Sequence, residues 1–333
     1  MTDAVGSFFS GVAEAVGSIF GGDSSSSDST GGGDSSGKPV IVDMDDDGIE
    51  LTKLDESTTN FDFDDDGYLE RTAWTTGDDG LLVFDLNNDD QVTESKEIAF
   101  AKWTDEDDTD LEALASEFDT HQDKVLDERD AGWHEFKLWQ DRDSDGVVDD
   151  GEMVTLDEAG IRSIGLQTRE GTGKVLDDGT VIHGLVDVQK ADGSITDGAD
   201  VAFAYNSLGF RSYEDENGNL VYEFEDGHIQ KIKKLDEDDT DFNLGDDATV
   251  WIGAEGNALA NVIDASGKSE SVLLNGGAGD DALIGGVGSD YLMGSEGTDS
   301  FSGGAGSDLL FVDGDDLSDP STIDGVKVMI RSS

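Results

Sequence analysis

Aspartate recurs in this sequence at alternate positions of short runs that close on glycine, a spacing that lets several carboxylates converge on one hard cation. The fullest run is Asp141-Arg-Asp143-Ser-Asp145-Gly146-Val-Val148-Asp149-Asp-Gly-Glu152. Side chains at its first, third and fifth places can reach one ion, and Gly146 permits the sharp turn at the sixth. Val148 can pack at the eighth place, Asp149 stands at the ninth, and Glu152 can supply two oxygens at the twelfth, so the chemistry is that of a calcium loop. A second run places Asp119, His121, Asp123, Asp127 and Asp130 at positions one, three, five, nine and twelve, with His121 and Lys124 as weakening substitutions. Three shorter runs share the start: Asp43, Asp45, Asp47 with Gly48; Asp62, Asp64, Asp66 with Gly67; and Asp85, Asn87, Asp89 with Glu97 one place late. Each could be a polar turn, which favours the same residues; their threefold recurrence points to metal.

Loops of this kind need elements to hold their ends. The run at 141–152 meets the requirements of an EF-hand loop, and the run at 119–130 lies between stretches 111–118 and 132–139 that read as helical. The two together predict a paired EF-hand unit. The other three loops lack an acid at position twelve and are expected outside any helix-loop-helix frame.

Composition agrees with ligand supply. In 333 residues, 79 Asp and Glu oppose 20 Lys and Arg, a formal net charge of -59. Such a surface repels nucleic acid and anionic lipid. With 35% hydrophobic residues the bare chain lies near the composition of disordered proteins, so folding calls for counter-charge. Cysteine is absent, which removes disulfides and thiolate sites and leaves metal to take over the stapling role. No stretch approaches the roughly 18 apolar residues of a membrane span, and the N-terminus lacks the pattern of a cleaved signal.

Along the chain, Val5, Phe8, Phe9, Val12, Val16, Ile19 and Phe20 fall at helical spacing and predict an amphipathic helix over 1–22. It either packs on its own domain or serves self-association, as in a homo-oligomer or filament, or anchors at a membrane interface. Asp3 and Glu14, with no Lys or Arg, argue against an anionic membrane. A flexible Ser/Gly/Asp linker follows over 23–38, then an EF-hand-like calcium-binding domain over 39–211 and a β-rich connector over 212–249 with a turn at Asn217-Gly218.

From Gly276 the chain repeats every nine residues, with Asp281, Asp290, Asp299 and Asp308 at one position and Leu283, Leu292, Phe301 and Leu310 two places on. Gly277, Gly279, Gly286, Gly288, Gly297, Gly304 and Gly306 accompany them, and Ser295 replaces a glycine in the third copy. The pattern resembles the RTX nonapeptide. That resemblance implies a short parallel β-roll, here over 250–312, in which two nonapeptides make one turn and ions sit between loops two repeats apart. A tail over 313–333 is expected to cap the roll or act as a secretion signal. The fold class expected is therefore mixed and mainly β: an EF-hand-like calcium-loop domain with short helices and strands, then the roll.

The stretch from Pro39 to about residue 166 resembles the calcium-dependent self-processing module of iron-regulated RTX proteins. Pro39-Val-Ile-Val-Asp-Met-Asp-Asp-Asp-Gly-Ile-Glu50, the Asp78-Asp-Gly-Leu-Leu-Val83 run, Leu138-Trp-Gln-Asp141 and Leu156-Asp-Glu-Ala-Gly-Ile161 carry the likeness. The resemblance implies cleavage of an Asp-Pro bond just before the module and joining of the new Asp carbonyl to a Lys amine. Here Lys38 precedes Pro39, and the nucleophile is missing where the family keeps it. The other proline of the sequence follows Asp319, and Asp319-Pro320 is its single Asp-Pro bond. His121, His134, His183 and His228 form no His-Glu-x-x-His motif, and no Gly-x-Ser-x-Gly elbow occurs, so no other enzyme is expected.

The expected protein binds multiple Ca2+ ions, and the RTX resemblance implies that it leaves a Gram-negative cell by the type 1 secretion machinery and folds outside or on the cell surface. Its expected role is structural or adhesive, in a surface, matrix or filament. The alternative is calcium-triggered Asp-Pro cleavage and Asp-Lys cross-linking.

Overall fold

The computed structural model describes residues 38–104, 108–245, 251–312, 316, 323–324 and 327–330. The helix expected over 1–22, nearly all of the linker, and Asp319-Pro320 lie outside the described residues. Two compact units divide between Gly209 and Phe210.

The first unit is built on a nine-stranded sheet. Its spatial order is Val125–Asp127, Ile161–Gly165, Val181–Lys190, Ile195–Ala202, Val40–Val42, Gly80–Phe84, Phe136–Trp139 and Met153–Thr155, with Lys174–Val175 also on Val181–Lys190. Its pairings are antiparallel, and Val40–Val42 lies between Ile195–Ala202 and Gly80–Phe84. Side chains alternate between faces along each strand, and here both faces are covered. Val40, Val42, Leu82, Phe136, Leu138 and Val186 share one core, which the helix Asp110–Glu117 completes with Leu111, Ala113 and Leu114. Ile41, Leu81, Val83, Trp139 and Val201 face a second core with Phe61, Phe63, Trp74 and Phe203.

Among the described residues Asp110–Glu117 is the sole α-helix, started by a capping box in which Thr109 and Glu112 bond each other's amides. The second helix expected over 132–139 does not form. That stretch is a short 3-10 turn, Trp133–Glu135, followed by the strand Phe136–Trp139. Phe136 and Leu138 enter one core and Trp139 the other, a two-residue alternation that closely spaced aromatics had disguised as helical spacing. The loop 141–152 lies between the strands Phe136–Trp139 and Met153–Thr155, and the frame around it is a β-hairpin.

The second unit is a roll of two parallel sheets. One continues a hairpin pair, Phe210–Glu214 and Leu220–Phe224, into the parallel run Ile229–Lys234, Trp251–Glu255, Leu273–Ala278, Tyr291–Glu296, Leu309–Val312 and Lys327–Ile330. The other stacks Asp241–Asn243, Val262–Asp264, Ala282–Ile284, Ser300–Ser302 and Ile323–Asp324. Successive nonapeptides feed alternate sheets, so Leu283 aligns with Phe301, and Leu292 with Leu310. These four side chains fill the space between the sheets with Ile263 and Leu274. Parallel pairing already begins at Ile229–Lys234. Leu235 and Leu244 join the same core without any glycine repeat to announce them.

Candidate metal centre

The five aspartate loops of the first unit share one backbone. In each, the first aspartate accepts two amide hydrogens from its own loop. For Asp141 the donors are Asp145 (3.2 Å) and Gly146 (2.9 Å), for Asp62 Asp66 and Gly67, for Asp85 Asp89 and Asp90, for Asp119 Asp123 and Lys124, and for Asp43 Asp46 and Gly48. The fourth residue is left-handed in all five: Asp46, Asp65, Asn88, Gln122 and Ser144 have φ of 72°, 61°, 56°, 56° and 59°. The sixth is left-handed too, glycine in three loops and Asp90 (59°) or Lys124 (63°) in the others. Glycine takes that conformation without strain, whereas a side chain costs roughly 1–2 kcal/mol.

Three loops gather acids alone. Asp141, Asp143 and Glu152 bring carboxylate oxygens within 4.8 Å of one another, and Asp143, Asp145 and Asp149 do the same. The core holds this loop in place, since the buried Trp74 donates Nε1–H to Asp141 (2.8 Å) and Trp139 donates to Glu152 (3.3 Å). Burial, reinforced by the charges of Asp145 and Glu152, pushes the Asp141 carboxyl up to about 7. Asp62, Asp64 and Asp66 form a second group. In the first loop Asp43 and Asp45 are joined by Asp79 from the turn before Gly80–Phe84. Asp47 instead lies against Asp45, whose hydrogen bond and charge raise it to about 6. Asp79 is buried, which raises it to about 7.

In two loops a base pairs with the candidate ligands themselves, whereas in the first and second loops Lys190 and Lys102 pair with the fourth residue, Asp46 (2.7 Å) and Asp65 (2.9 Å), outside the gathered acids. The Lys137 ammonium lies 2.6 Å from Asp85 and also bonds Asp90. Asn87 donates to Asp89 (2.8 Å), while Glu97 accepts the amides of Leu86, Thr93 and Glu94 and so closes the loop as a hydrogen-bond acceptor. In the loop 119–130, Arg129 pairs with Asp123 (2.6 Å) and Asp127 (2.7 Å), and Asp130 accepts from the amides of His121 and Asp127. Neither loop brings three acidic ligands together.

The roll holds its carboxylates across turns. Asp299 Oδ1 accepts the amide of Asp281 (2.8 Å) and Asp281 Oδ1 that of Asn261 (2.7 Å); opposite, Asp308 serves Asp290 (3.1 Å) and Asp290 serves Val272 (2.9 Å). The Oδ2 atoms of Asp281 and Asp308 are buried with no hydrogen-bond partner. Burial raises Asp281 and Asp290 to about 6 and Asp299 to about 7. A buried oxygen with no donor fits a divalent cation, which would meet the cost of desolvating it. Gly279 and Gly306 both adopt φ 121°, open to few side chains, and Ser295 is left-handed at 74° where the repeat has glycine, with Oγ 2.9 Å from Asn275 Oδ1. Gly277 lies within the strand Leu273–Ala278, and Gly286, Gly288, Gly297 and Gly304 lie in the turns.

Residues 256–292 and 275–310 match the RTX calcium-binding nonapeptide repeat, and residues 40–204 match the SPM domain. The chain carries an SPM domain followed by RTX repeats. Its RTX repeats bind calcium ions at multiple sites, and the ladder of buried aspartates lies within the matched residues. The chain is 30% identical over 181 residues to the iron-regulated protein FrpA of Neisseria meningitidis serogroup C. That alignment covers 51% of this chain and 16% of the relative, so the chain spans a small part of that protein's length. Among the described residues no helix is long and apolar enough to cross a membrane.

Several residues of these sites escape a reading by spacing. Asp79, Lys137 and Arg129 come from outside the Asp-x-Asp pattern. Asp316, whose Oδ1 accepts the amide of Asp299 (2.7 Å), extends the ladder one residue out of phase. Its signal is a buried acid at 17 residues from Asp299 where the repeat demands 18.

Proposed function

We propose that this chain is a secreted calcium-binding protein of structural or adhesive role, whose RTX roll stays unfolded where calcium is scarce and folds on calcium outside the cell. The observation that carries this reading is the pair of buried, unpartnered oxygens on Asp281 and Asp308 within a stacked aspartate ladder. Calcium at the acid-only loops, Asp43, Asp45 and Asp79, Asp62, Asp64 and Asp66, and the EF-hand-like set 141–152, extends the reading to the first unit. Export by a type 1 system from a Gram-negative cell, and self-association into a surface layer or filament, belong to the same proposal. Far-UV circular dichroism with calcium and with EGTA tests it. A chain that keeps its structure and melting temperature after chelation refutes it.

The SPM match favours a second reading, calcium-triggered cleavage and cross-linking. With Lys38 before Pro39, the bond left for that chemistry is Asp319-Pro320. Intact-mass measurement in calcium separates the readings, since the second alone yields a fragment or an SDS-resistant ladder, both abolished by Asp319→Ala.

A further inference from the structure

We propose that the loop beginning at Asp85 is a calcium-type loop whose ion position is taken permanently by the Lys137 ammonium, so that it stands formed with or without calcium. The proposal rests on reading the acid-only loops as calcium sites.

Three independent features agree. The first is the backbone. The Asp85 carboxylate receives the amides of Asp89 (3.2 Å) and Asp90 (3.1 Å) as Asp141 receives those of Asp145 (3.2 Å) and Gly146 (2.9 Å). Asn88 and Ser144 share the left-handed fourth position at φ 56° and 59°. The loop is therefore wound as an ion-binding loop is wound.

The second feature is what fills it. Lys137 lies in the strand Phe136–Trp139, paired with Val83 beside the start of the loop, and is only 7% exposed. Its Nζ lies 2.6 Å from Asp85 Oδ2 and also bonds Asp90. A buried ammonium with three donors satisfies the carboxylates that would otherwise converge on a cation. The strand on which it rides is part of the central sheet, so the charge is delivered by the core and does not depend on solvent.

The third is the sequence of the loop itself. Position six is glycine in the three acid-only loops but Asp90 here, and this substituted residue makes the second bond to Lys137. Position three is Asn87, an amide where the loop 141–152 has Asp143, which lowers the charge an ion would have to balance. The departures from the calcium pattern are thus the ones an ammonium would accommodate. Lys137 holds Asp85 below the usual carboxylate range, opposite to the rise at Asp141.

Hydrogen–deuterium exchange on the full chain, in calcium and after chelation by EGTA, tests the proposal. Peptides covering 85–91 should exchange at the same rate within about twofold, while those covering 143–149 should lose protection by roughly tenfold or more, as expected of a segment whose opening is coupled to metal. Loss of protection at 85–91 in step with 143–149 would overturn it. If 143–149 does not respond, the calcium reading of the acid-only loops has failed, and the proposal, which rests on it, fails with it. Lys137→Met adds a second measurement, by native mass spectrometry in calcium. The variant should hold one ion more than the wild type and show calcium-dependent protection at 85–91; an unchanged ion count in a folded variant also overturns the proposal. Should that variant not fold, the wild-type exchange decides.

Discussion

In the loop at 141–152 the first aspartate is bonded by amides four and five residues ahead of it, and Glu152 closes the same loop. In the roll, Asp299 instead bonds the amide of Asp281, 18 residues before it, and Asp290 and Asp308 are joined in the same way. In the first arrangement the backbone donors of each leading aspartate are local to its own loop. The second is shared, and every rung supports the next, as in a stack whose repeats contact only their neighbours. The same residue type at similar density thus yields independent sites in one unit and a cooperative one in the other. What differs is whether the carboxylate's hydrogen-bond donors lie in its own loop or one turn away.

The largest effect should come from calcium removal. After chelation the roll, residues 251–312, is expected to lose most of its β signal and its exchange protection, because metal binding there is folding free energy. The first unit should retain protection in its central strands, which have apolar cores on both faces. Equal loss in both units would break the comparison.

Next in size is a pair of truncations in the calcium-loaded chain. Asp299→Ala strands the buried amide of Asp281, worth about 1–3 kcal/mol before any lost ion is counted. Asp149→Ala removes an exposed carboxylate of a local loop and should stay within about 0.5 kcal/mol. Chemical denaturation curves monitored separately for each unit give both values. Matching losses would show that the ladder is no more cooperative than the loop.

Gly294→Ala comes third. A Cβ there would run into the side chain of Asp299, with 2.8 Å to its Cβ, and overpacking of this kind costs about 1–3 kcal/mol. The melting temperature of the roll should fall in calcium, while the first unit melts as before.

The smallest effect is a pH dependence of the calcium-stripped roll. Asp281 and Asp290 are raised to about 6 and Asp299 to about 7, chiefly by burial. A carboxyl raised above its unfolded value of about 3.9 contributes stability that is complete below that value and disappears as pH climbs to the folded one. At about pH 5 the stripped roll should therefore show more β signal than at about pH 7.5, the loss being spread between about pH 4 and about pH 7. Calcium affinity should weaken in the opposite sense, as protons compete for the same oxygens. A midpoint near 4 would mean that these aspartates are not buried as described.

The sequence by itself determined the chemistry and the roll. A nine-residue period with Asp and Leu in fixed phase leaves one way to stack, because only alternate placement of Leu283 and Leu292 on two sheets buries both. The Asp-x-Asp runs likewise specified five loops, since the amides that bond Asp43, Asp62, Asp85, Asp119 and Asp141 lie within five residues of each. Contacts that close over long separations were decided by the tertiary structure alone. The strand at Phe136–Trp139 is one, because its two-faced burial depends on partners at Gly80–Phe84 and Met153–Thr155. The roll's entry at Ile229–Lys234 is another, set by pairing with Trp251–Glu255 and by no glycine signature. Above all, whether a base stands among a loop's leading carboxylates was invisible in the Asp-x-Asp spacing. Asp79 joins the first loop from 36 residues beyond Asp43, and Lys137 enters the third from 52 residues beyond Asp85. Spacing along the chain can assemble the ligands of an ion, but whether an ion is needed depends on charges that only the folded sheet brings alongside.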